Sequence, residues 1–380
     1  MKILIVSPDH PYPPNHGGRV DIWNRILLLS ELNHEIDLVI TTSDAVLKPE
    51  DETEFRRHIR NVSFFKRKIK LLPFIAGTPY QVSSRASLRN FHSNEKYDYI
   101  ILESEATSEI LKSSSITGGQ VLLRVHNNES LYFKSLFNSS SNILKKLYYL
   151  YESIAYKKHS SRIKSLANTI LHISSDELLA EKTSTKKKAI FLPPYINLLD
   201  LKEVSTLHKH KVVFIGNLFT ANNINGLRWF IDSIHPTLTS KQYELIVAGN
   251  TRNNEDIIKY LKQANITFID SPEDLSDIYK DASIFIIPLL EGAGVKLRAV
   301  NAISQGIPIV ATSIGIEGLG LENEKHYLLA NSSEDFSKAI NRLLTSETKR
   351  FELAKNAQQH LIDNLDSKKI LTSLFSQEKS

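Results

Sequence analysis

From Ile284 to Gly320 the chain reads IFIIPLLEGAGVKLRAVNAISQGIPIVATSIGIEGLG. A strand, a glycine loop, a helix, a strand and a second glycine loop follow one another there without interruption. Ile284 to Pro288 is a short β-branched run of the kind that a parallel sheet buries on both faces. Glu291, Gly292, Ala293 and Gly294 form a turn. Val295 to Gln305 then carries Val295, Leu297, Val300, Ala302 and Ile303 as a helical apolar stripe. Gly306 suits a helix C-terminus, and Ile307 to Thr312 is the next strand. Free N–H groups and the dipole at such a helix start favour an anion, and Gly292 and Gly294 permit its close approach. Lys296 and Arg298 add charge. Helical spacing turns residues two apart by about 200°, so only one of the two is expected to meet a phosphate, Lys296 being favoured. An ordinary βαβ turn with solvated cations is the plain alternative.

The segment GAGVKLRAVNAISQGIPIVATSIGIEGL resembles the nucleotide-sugar-binding segment of retaining GT-B glycosyltransferases of the GT4 type. VVFIGNLFTANNINGLRWF and YELIVAG, between Val212 and Gly249, are similar to the opening strand, loop and next strand of the same domain. MKILIVSPDHPYPPNHGGRVDIWNRILLLSELNHEIDLVITT is similar to that family's first strand, Gly-Gly loop, helix and second strand. The resemblance is weakest between about Lys48 and Lys96. It implies an α/β chain of the GT-B type, with two Rossmann-like domains whose parallel sheets face a cleft.

The 380 residues suit two domains, each able to bury a core. There is no cysteine, which excludes disulfides, thiol nucleophiles and cysteine-zinc sites. Asp9 and His10 interrupt the first apolar run before a signal-peptide core forms, and no run approaches the length of a membrane span. The expected location is the cytoplasm.

Strands are expected at Lys2–Val6, Ile36–Thr41, Tyr99–Leu102, Val121–Val125, Thr169–Ile173 and Ala189–Leu192. A second series is expected at Lys211–Gly216, Tyr243–Ala248, Ile266–Ile269, Ile284–Pro288 and Ile307–Thr312. Helices are expected between them, among them 20–31, 142–167, 225–234, 254–264, 274–281, 295–305 and 334–365. The break after Pro193-Pro194 divides the chain into an N-terminal acceptor-binding domain at 1–195, a linker at 196–210 and a nucleotide-sugar-binding domain at 211–360. The remaining 361–380 is a helical tail that, by the resemblance, crosses toward the first domain.

The formal charge of +5 is unevenly spread. Arg56, Arg57, Arg60, Lys66, Arg67, Lys68 and Lys70 cluster early, and Lys145, Lys146, Lys157, Lys158, Arg162 and Lys164 follow on a helix. With Phe64, Phe65, Leu71, Leu72, Phe74, Tyr148, Tyr149 and Tyr151 they suit either peripheral contact with an anionic membrane at its inner face or a solvated basic surface. No nucleic-acid-binding signature is present.

Gly17 and Gly18 follow the first strand, where an open α/β sheet binds ligands, and are expected to permit positive φ. In the resembling family this loop lies near the donor diphosphate; a tight turn is the alternative. Arg19 fits phosphate contact or a helix start equally. His126 ends the strand VLLRV, a position at which family members contact the transferred sugar, and is the catalytic candidate among 13 histidines. His10 is second. Glu103 and Glu105 fit acceptor binding or ordinary loop charge. Gly216 and Asn217 follow VVFIG, where the family usually presents an Arg or Lys to the pyrophosphate; here the next basic residue is Arg228, within a helix. Asn301 stands where the family's second acidic residue binds the donor ribose, and Glu291 is the candidate for the first acidic position. The donor-binding set is therefore Gly17, Gly18, Gly216, Asn217, Glu291, Gly292, Gly294, Val295, Lys296, Arg298 and Asn301.

The resemblance implies transfer of a glycosyl unit, with retention, from a nucleoside diphosphate sugar to a glycan or lipid-linked acceptor of bacterial cell-surface polysaccharide synthesis. No cofactor and no metal are expected, since no convincing Asp-x-Asp motif or histidine pair occurs. Two alternatives stay open at this level: a GT-B epimerase, and a partner subunit whose donor site has decayed.

Overall fold

The computed structural model describes residues 1–14, 17–43, 49–68, 77–140, 142–184, 188–204, 210–238, 243–264, 266–292 and 294–376. Lys70, Leu71, Leu72, Phe74, Ala293 and residues 205–209 of the expected linker lie outside them. The chain divides into two compact units, Met1–Tyr195 with Ser367–Ser380, and Ile196–Asp366.

In unit 1 the elements are β1 (Lys2–Ser7), α1 (Gly17–Glu31), β2 (Glu35–Thr42), α2 (Pro49–His58), β3 (Asn61–Lys66), α3 (Tyr80–Ser83), β4 (Tyr99–Leu102), β5 (Gln120–Val125), α4 (Glu129–Ser139), α5 (Ile143–Leu166), β6 (Thr169–His172), α6 (Ser175–Ser184) and β7 (Lys188–Phe191). The seven strands run in the order β3-β2-β1-β4-β5-β6-β7. All their pairings are parallel, with Ile3 opposite both Ile36 and Tyr99. Ile3, Leu4, Ile5 and Val6 are all buried, so β1 is covered on both faces, as its unbroken apolar run requires. Trp23, Ile26 and Leu29 of α1 pack on Ile3, Ile5, Leu38 and Phe55. β3 was not expected. Its sequence, NVSFFK, begins and ends polar and is only half-buried, because it is an edge strand.

Unit 2 contains β8 (Lys211–Ile215), α7 (Ala221–Trp229), β9 (Glu244–Gly249), α8 (Glu255–Gln263), β10 (Thr267–Asp270), α9 (Ser276–Asp281), β11 (Ile284–Ile287), α10 (Leu297–Ser304), β12 (Ile309–Ala311), α11 (Ser313–Ile316), β13 (Leu328–Leu329), α12 (Ser333–Thr345) and α13 (Glu347–Asn364). Its six strands follow the order β10-β9-β8-β11-β12-β13, again all parallel. The helix expected at 334–365 is two helices. Ser346 ends α12 and caps α13, its side chain accepting the Lys349 N–H. The helix expected at 225–234 starts earlier, and its last part is a π-helical turn, Phe230–Ile234, that sets Phe230, Ile231 and Ile234 into the core. β13 was missed because two residues carry no periodic signal. A last helix, α14 (Ser367–Ser376), belongs to unit 1, where Leu371, Leu374 and Phe375 join the same core as Ile3 and Tyr99.

In both sheets the strand order reverses at the first strand of the series, between β1 and β4 and between β8 and β11. Loops leaving the carboxyl ends at such a point surround a crevice, which is where ligands bind in open α/β sheets.

Candidate functional site

Each unit gathers polar residues at its own reversal point. In unit 2, β8 ends at Ile215 and continues into Gly216 and Asn217, while β11 leads into the loop at 288–296. Gly292 (φ 128°) and Gly294 (φ 80°) hold left-handed backbone that side chains disfavour, so the loop depends on glycine at these two positions. Strands β8 and β9 end so close that a Cβ on Gly249 would stand 1.8 Å from the Gly216 carbonyl oxygen.

The helix after this loop begins at Leu297, and Lys296 is its N-cap, with extended backbone (φ −94°, ψ 96°). The expected helical angle between Lys296 and Arg298 therefore does not apply, and both side chains are withdrawn from solvent. Lys296 is 9% exposed. Its Nζ donates to the Gly294 carbonyl and lies 3.9 Å from a Glu317 carboxylate oxygen. Arg298 donates from Nη1 to the Ile215 carbonyl at 3.2 Å and from Nη2 to Asn223 Oδ1. Buried Asn223 of α7 in turn donates to the Asn217 carbonyl at 2.9 Å. Among the described residues no carboxylate pairs with Arg298. Burial pushes Lys296 down to about 8, Glu317 opposing it only in part, and pushes Arg298 down to about 10. Both cations thus face a desolvation penalty that protein anions barely relieve, which is the electrostatic condition of an anion site.

Gly216, Asn217, Gly294, Lys296 and Arg298 come together in this way. Val295 is half-buried in the loop beside them. Glu291 accepts a hydrogen bond from Asn225 Nδ2 at 3.2 Å. Asn301 lies on the exposed side of α10, with its amide on the Tyr279 hydroxyl. Arg228 stacks 5.0 Å from the Tyr260 ring centroid. The position after β8 that lacks a basic residue in sequence is reached by Arg298: a Cβ on Gly216 would meet its Nη1 at 2.7 Å. Asn223 and Glu317 were not singled out in sequence, and neither carries a motif signal.

In unit 1, Gly17 and Gly18 lie in the first turn of α1, so Gly18 holds helical backbone and not the positive φ expected of it. Arg19 pairs with Asp9, its Nη2 2.7 Å from the carboxylate. His126, directly after β5, stands over a buried charge network. Its Nδ1 is 3.8 Å from Asp21 Oδ2 and its Nε2 3.8 Å from Glu103 Oε2. Arg25 Nε binds Glu103 at 2.7 Å and its Nη2 binds Asp21 at 2.5 Å, while Arg124 Nη2 reaches the same Asp21 oxygen at 3.1 Å. Burial would raise both carboxyls. Arg124 and then Arg25 outweigh it at Asp21, holding that group well below the usual carboxylate range, and Arg25 with His126 outweigh it at Glu103. His126 is 27% exposed and its partners at most 3%, so it is the member of the network that meets solvent. Asp21 and Arg25 were not singled out in sequence; their one signal is an Asp and an Arg four residues apart on the otherwise apolar face of α1, while Arg124 stands beside His126 near the end of the β5 run.

Ligand atoms of Asp21, Glu103 and His126 lie within 4.8 Å of one another, close enough to share a cation. The set fits a metal poorly, because Arg25 and Arg124 already neutralise both carboxylates and would repel it. Glu105 belongs to neither cluster; it is buried and accepts from Ser160 Oγ.

A family model described as Glycosyl transferases group 1 matches residues 209–346. A Klebsiella pneumoniae relative, named an uncharacterized 44.6 kDa protein in the cps region, is 37% identical over 394 residues and covers 99% of each chain. Among solved structures, sucrose-phosphate synthase from Thermosynechococcus elongatus superposes with a TM-score of 0.73 at 14% identity, covering 99% of this chain and 98% of that one. Anabaena HepE in complex with UDP-glucose does so with a TM-score of 0.64 at 16% identity, covering 99% of this chain and 100% of that one. These likenesses show the two-sheet α/β fold of GT-B glycosyltransferases.

Proposed function

We propose, since the chain belongs to the glycosyl transferases group 1 family and is a glycosyltransferase, that unit 2 holds a nucleoside diphosphate sugar by its phosphates. The sugar is passed with retained configuration to a glycan or lipid-linked acceptor of cell-surface polysaccharide synthesis. One observation carries this reading: buried Lys296 and half-buried Arg298 lie where β8 and β11 diverge, beside left-handed glycines and, among the described residues, with no carboxylate closer than 3.9 Å. An incoming diphosphate supplies the missing counter-charge. The cps-region relative supports the pathway, and the UDP-glucose-bound neighbour of the same fold supports the donor class.

The bond between the anomeric carbon and the β-phosphate oxygen breaks with its electron pair on the diphosphate. A new bond forms from an acceptor hydroxyl oxygen to that carbon, and the hydroxyl proton passes to the departing phosphate oxygen. Charge accumulates on the leaving group, so preorganised Lys296, Arg298 and the free N–H groups of α10 lower the barrier. His126, whose ring is set by Asp21 and Glu103, contacts the transferred sugar; Arg298 supplies the cation that the loop after β8 lacks.

Calorimetric titration of UDP, GDP, ADP and TDP tests the donor site. One of them is expected to bind the parent and to lose binding in the Lys296→Ala, Arg298→Ala double variant. Failure of all four to bind the parent would overturn the reading.

A further inference from the structure

Helices α4 and α5 pack on each other and turn Phe133, Glu152, Ala155, Tyr156 and Ile163 inward. Their outer side is unusual. Of the twelve large apolar side chains that stand exposed among the described residues, eight lie on these two helices: Leu131, Tyr132, Ile143, Leu144, Leu147, Leu150, Ile154 and Leu166. Ile143, Leu147, Leu150 and Ile154 recur at steps of four, three and four, which is one stripe along α5, and they are 68%, 55%, 42% and 53% exposed. A solvated surface helix carries such a stripe on its inner side.

The charges on the same two helices are of one sign. Residues 129–166 contain Lys134, Lys145, Lys146, Lys157, Lys158, Arg162 and Lys164 against only Glu129 and Glu152. Neither glutamate is on the outer surface: Glu152 is fully buried, and Glu129 is half-buried. Lys146 and Lys157 flank the stripe on one side and Lys158 on the other, by helical angle. Of the residues grouped in sequence, Lys145, Lys146, Lys157, Lys158, Arg162 and Lys164 belong to this pattern, whereas others do not. Tyr148 and Tyr149 pack against Phe133, and Arg56, Arg57 and Arg60 are tied into ion pairs with Glu52, Glu54 and Asp37.

We propose that the outer face of α4 and α5 rests on an anionic phospholipid surface, with the α5 stripe in the headgroup boundary and the lysines on lipid phosphates. Two observations select lipid over a second copy of the chain. Self-pairing of this face would set lysines against lysines with no exposed carboxylate on either helix to answer them. No helix among the described residues is long and apolar enough to cross a membrane, so α5 lies along the surface instead of spanning it. The proposal concerns where the protein sits and does not depend on its donor or acceptor.

Flotation of the full chain with vesicles of phosphatidylcholine containing 30 mol% phosphatidylglycerol, against phosphatidylcholine alone, tests this at low and high salt. The parent is expected to float with the anionic vesicles only and to detach as salt rises. The exposed pair Leu147→Gln, Ile154→Gln should weaken binding at least about tenfold, and Lys157→Gln, Lys158→Gln about fivefold per lysine, all with parent-like circular dichroism. Absent binding, equal binding to neutral vesicles, or glutamine variants that bind like the parent would overturn the proposal. So would a parent dimer by light scattering that the same variants convert to monomer, since the face would then belong to a second copy.

Discussion

Arg298 Nη1 lies 3.2 Å from the carbonyl oxygen of Ile215, so a cation from the helix after β11 sits over the end of β8. Its guanidinium therefore occupies the space beside Gly216, after β8, where the sequence has no basic residue. Arg298→Ala is expected to weaken nucleoside diphosphate binding tenfold to a hundredfold, as a lost charge-assisted contact of about 1.5 to 3 kcal/mol requires. Arg298→Lys should recover only part of this, since an ammonium cannot hold Asn223 and a phosphate in one plane. Calorimetry with the nucleoside diphosphate decides; an unchanged Kd for Arg298→Ala removes it from the donor site.

Lys296 is expected to make donor binding depend on pH. Burial sets it at about 8 in the free protein. Below that pH it is charged and affinity should be level. Above it a proton must be taken up on binding, so affinity should fall by up to about tenfold per pH unit. Lys296→Arg should flatten the profile between pH 7.5 and 9.5. A level profile in the parent would show that Lys296 does not answer the phosphates.

His126→Ala is expected to lower turnover at least about a hundredfold while the Kd for nucleoside diphosphate stays within a factor of two or so, because His126 belongs to unit 1 and its neighbours are Asp21 and Glu103. Steady-state rates with a radiolabelled donor, set beside calorimetry, separate the two quantities. Parent-like turnover would exclude a role in the reaction.

Glu152 gives a stability prediction. Its Oε1 accepts the Tyr80 N–H at 2.8 Å, while buried Oε2 has no partner among the described residues. Burial raises the carboxyl to about 7. Because the folded pKa is raised, this group's contribution is fully present below about 4.5, its unfolded value, and is lost as pH rises through about 7. Glu152→Gln removes the titration. At pH 8 it should be about 1 to 3 kcal/mol more stable than the parent, with the difference vanishing near pH 4.5, by urea unfolding across pH. Equal pH slopes for both proteins would refute it.

Gly249→Ala tests the close approach of β8 and β9. A Cβ there would collide with backbone, which cannot swing aside as a side chain can. Loss of about 3 kcal/mol is expected, read as a lowered thermal midpoint together with weakened nucleoside diphosphate binding. A parent-like midpoint would mean that the two strand ends separate freely.

Strands buried on both faces were legible because apolar runs such as ILIV in β1 and IFII in β11 leave no other reading: β1, β2, β5, β8, β9 and β11 were expected within a residue or two of where they lie. Of the four edge strands, β7 and β10 were expected as well, whereas β3, which begins and ends polar, and β13, only two residues long, carry too little apolar pattern to read. The glycine loop and its two cations were visible as a motif. What the cations do was not, because it depends on Lys296 stopping short of the helix and on Arg298 finding Ile215, 83 positions earlier in the chain. The network beneath His126 was invisible for the same reason. Asp21, Glu103 and Arg124 sit on separate elements, and only the order of strands around β1 brings them together.

The membership of α14 in unit 1 has a consequence for how the chain acquires its structure. Leu371, Leu374 and Phe375 complete a core begun by Ile3 and Tyr99, yet they leave the ribosome after all of Ile196–Asp366. Unit 2 is contiguous and all its core residues are made before those three. During synthesis it is therefore the first-begun half that waits. Until residue 375 emerges, the apolar surface around Tyr99 lacks its Phe375 cover, and the unit begun before the other is the later to complete its core.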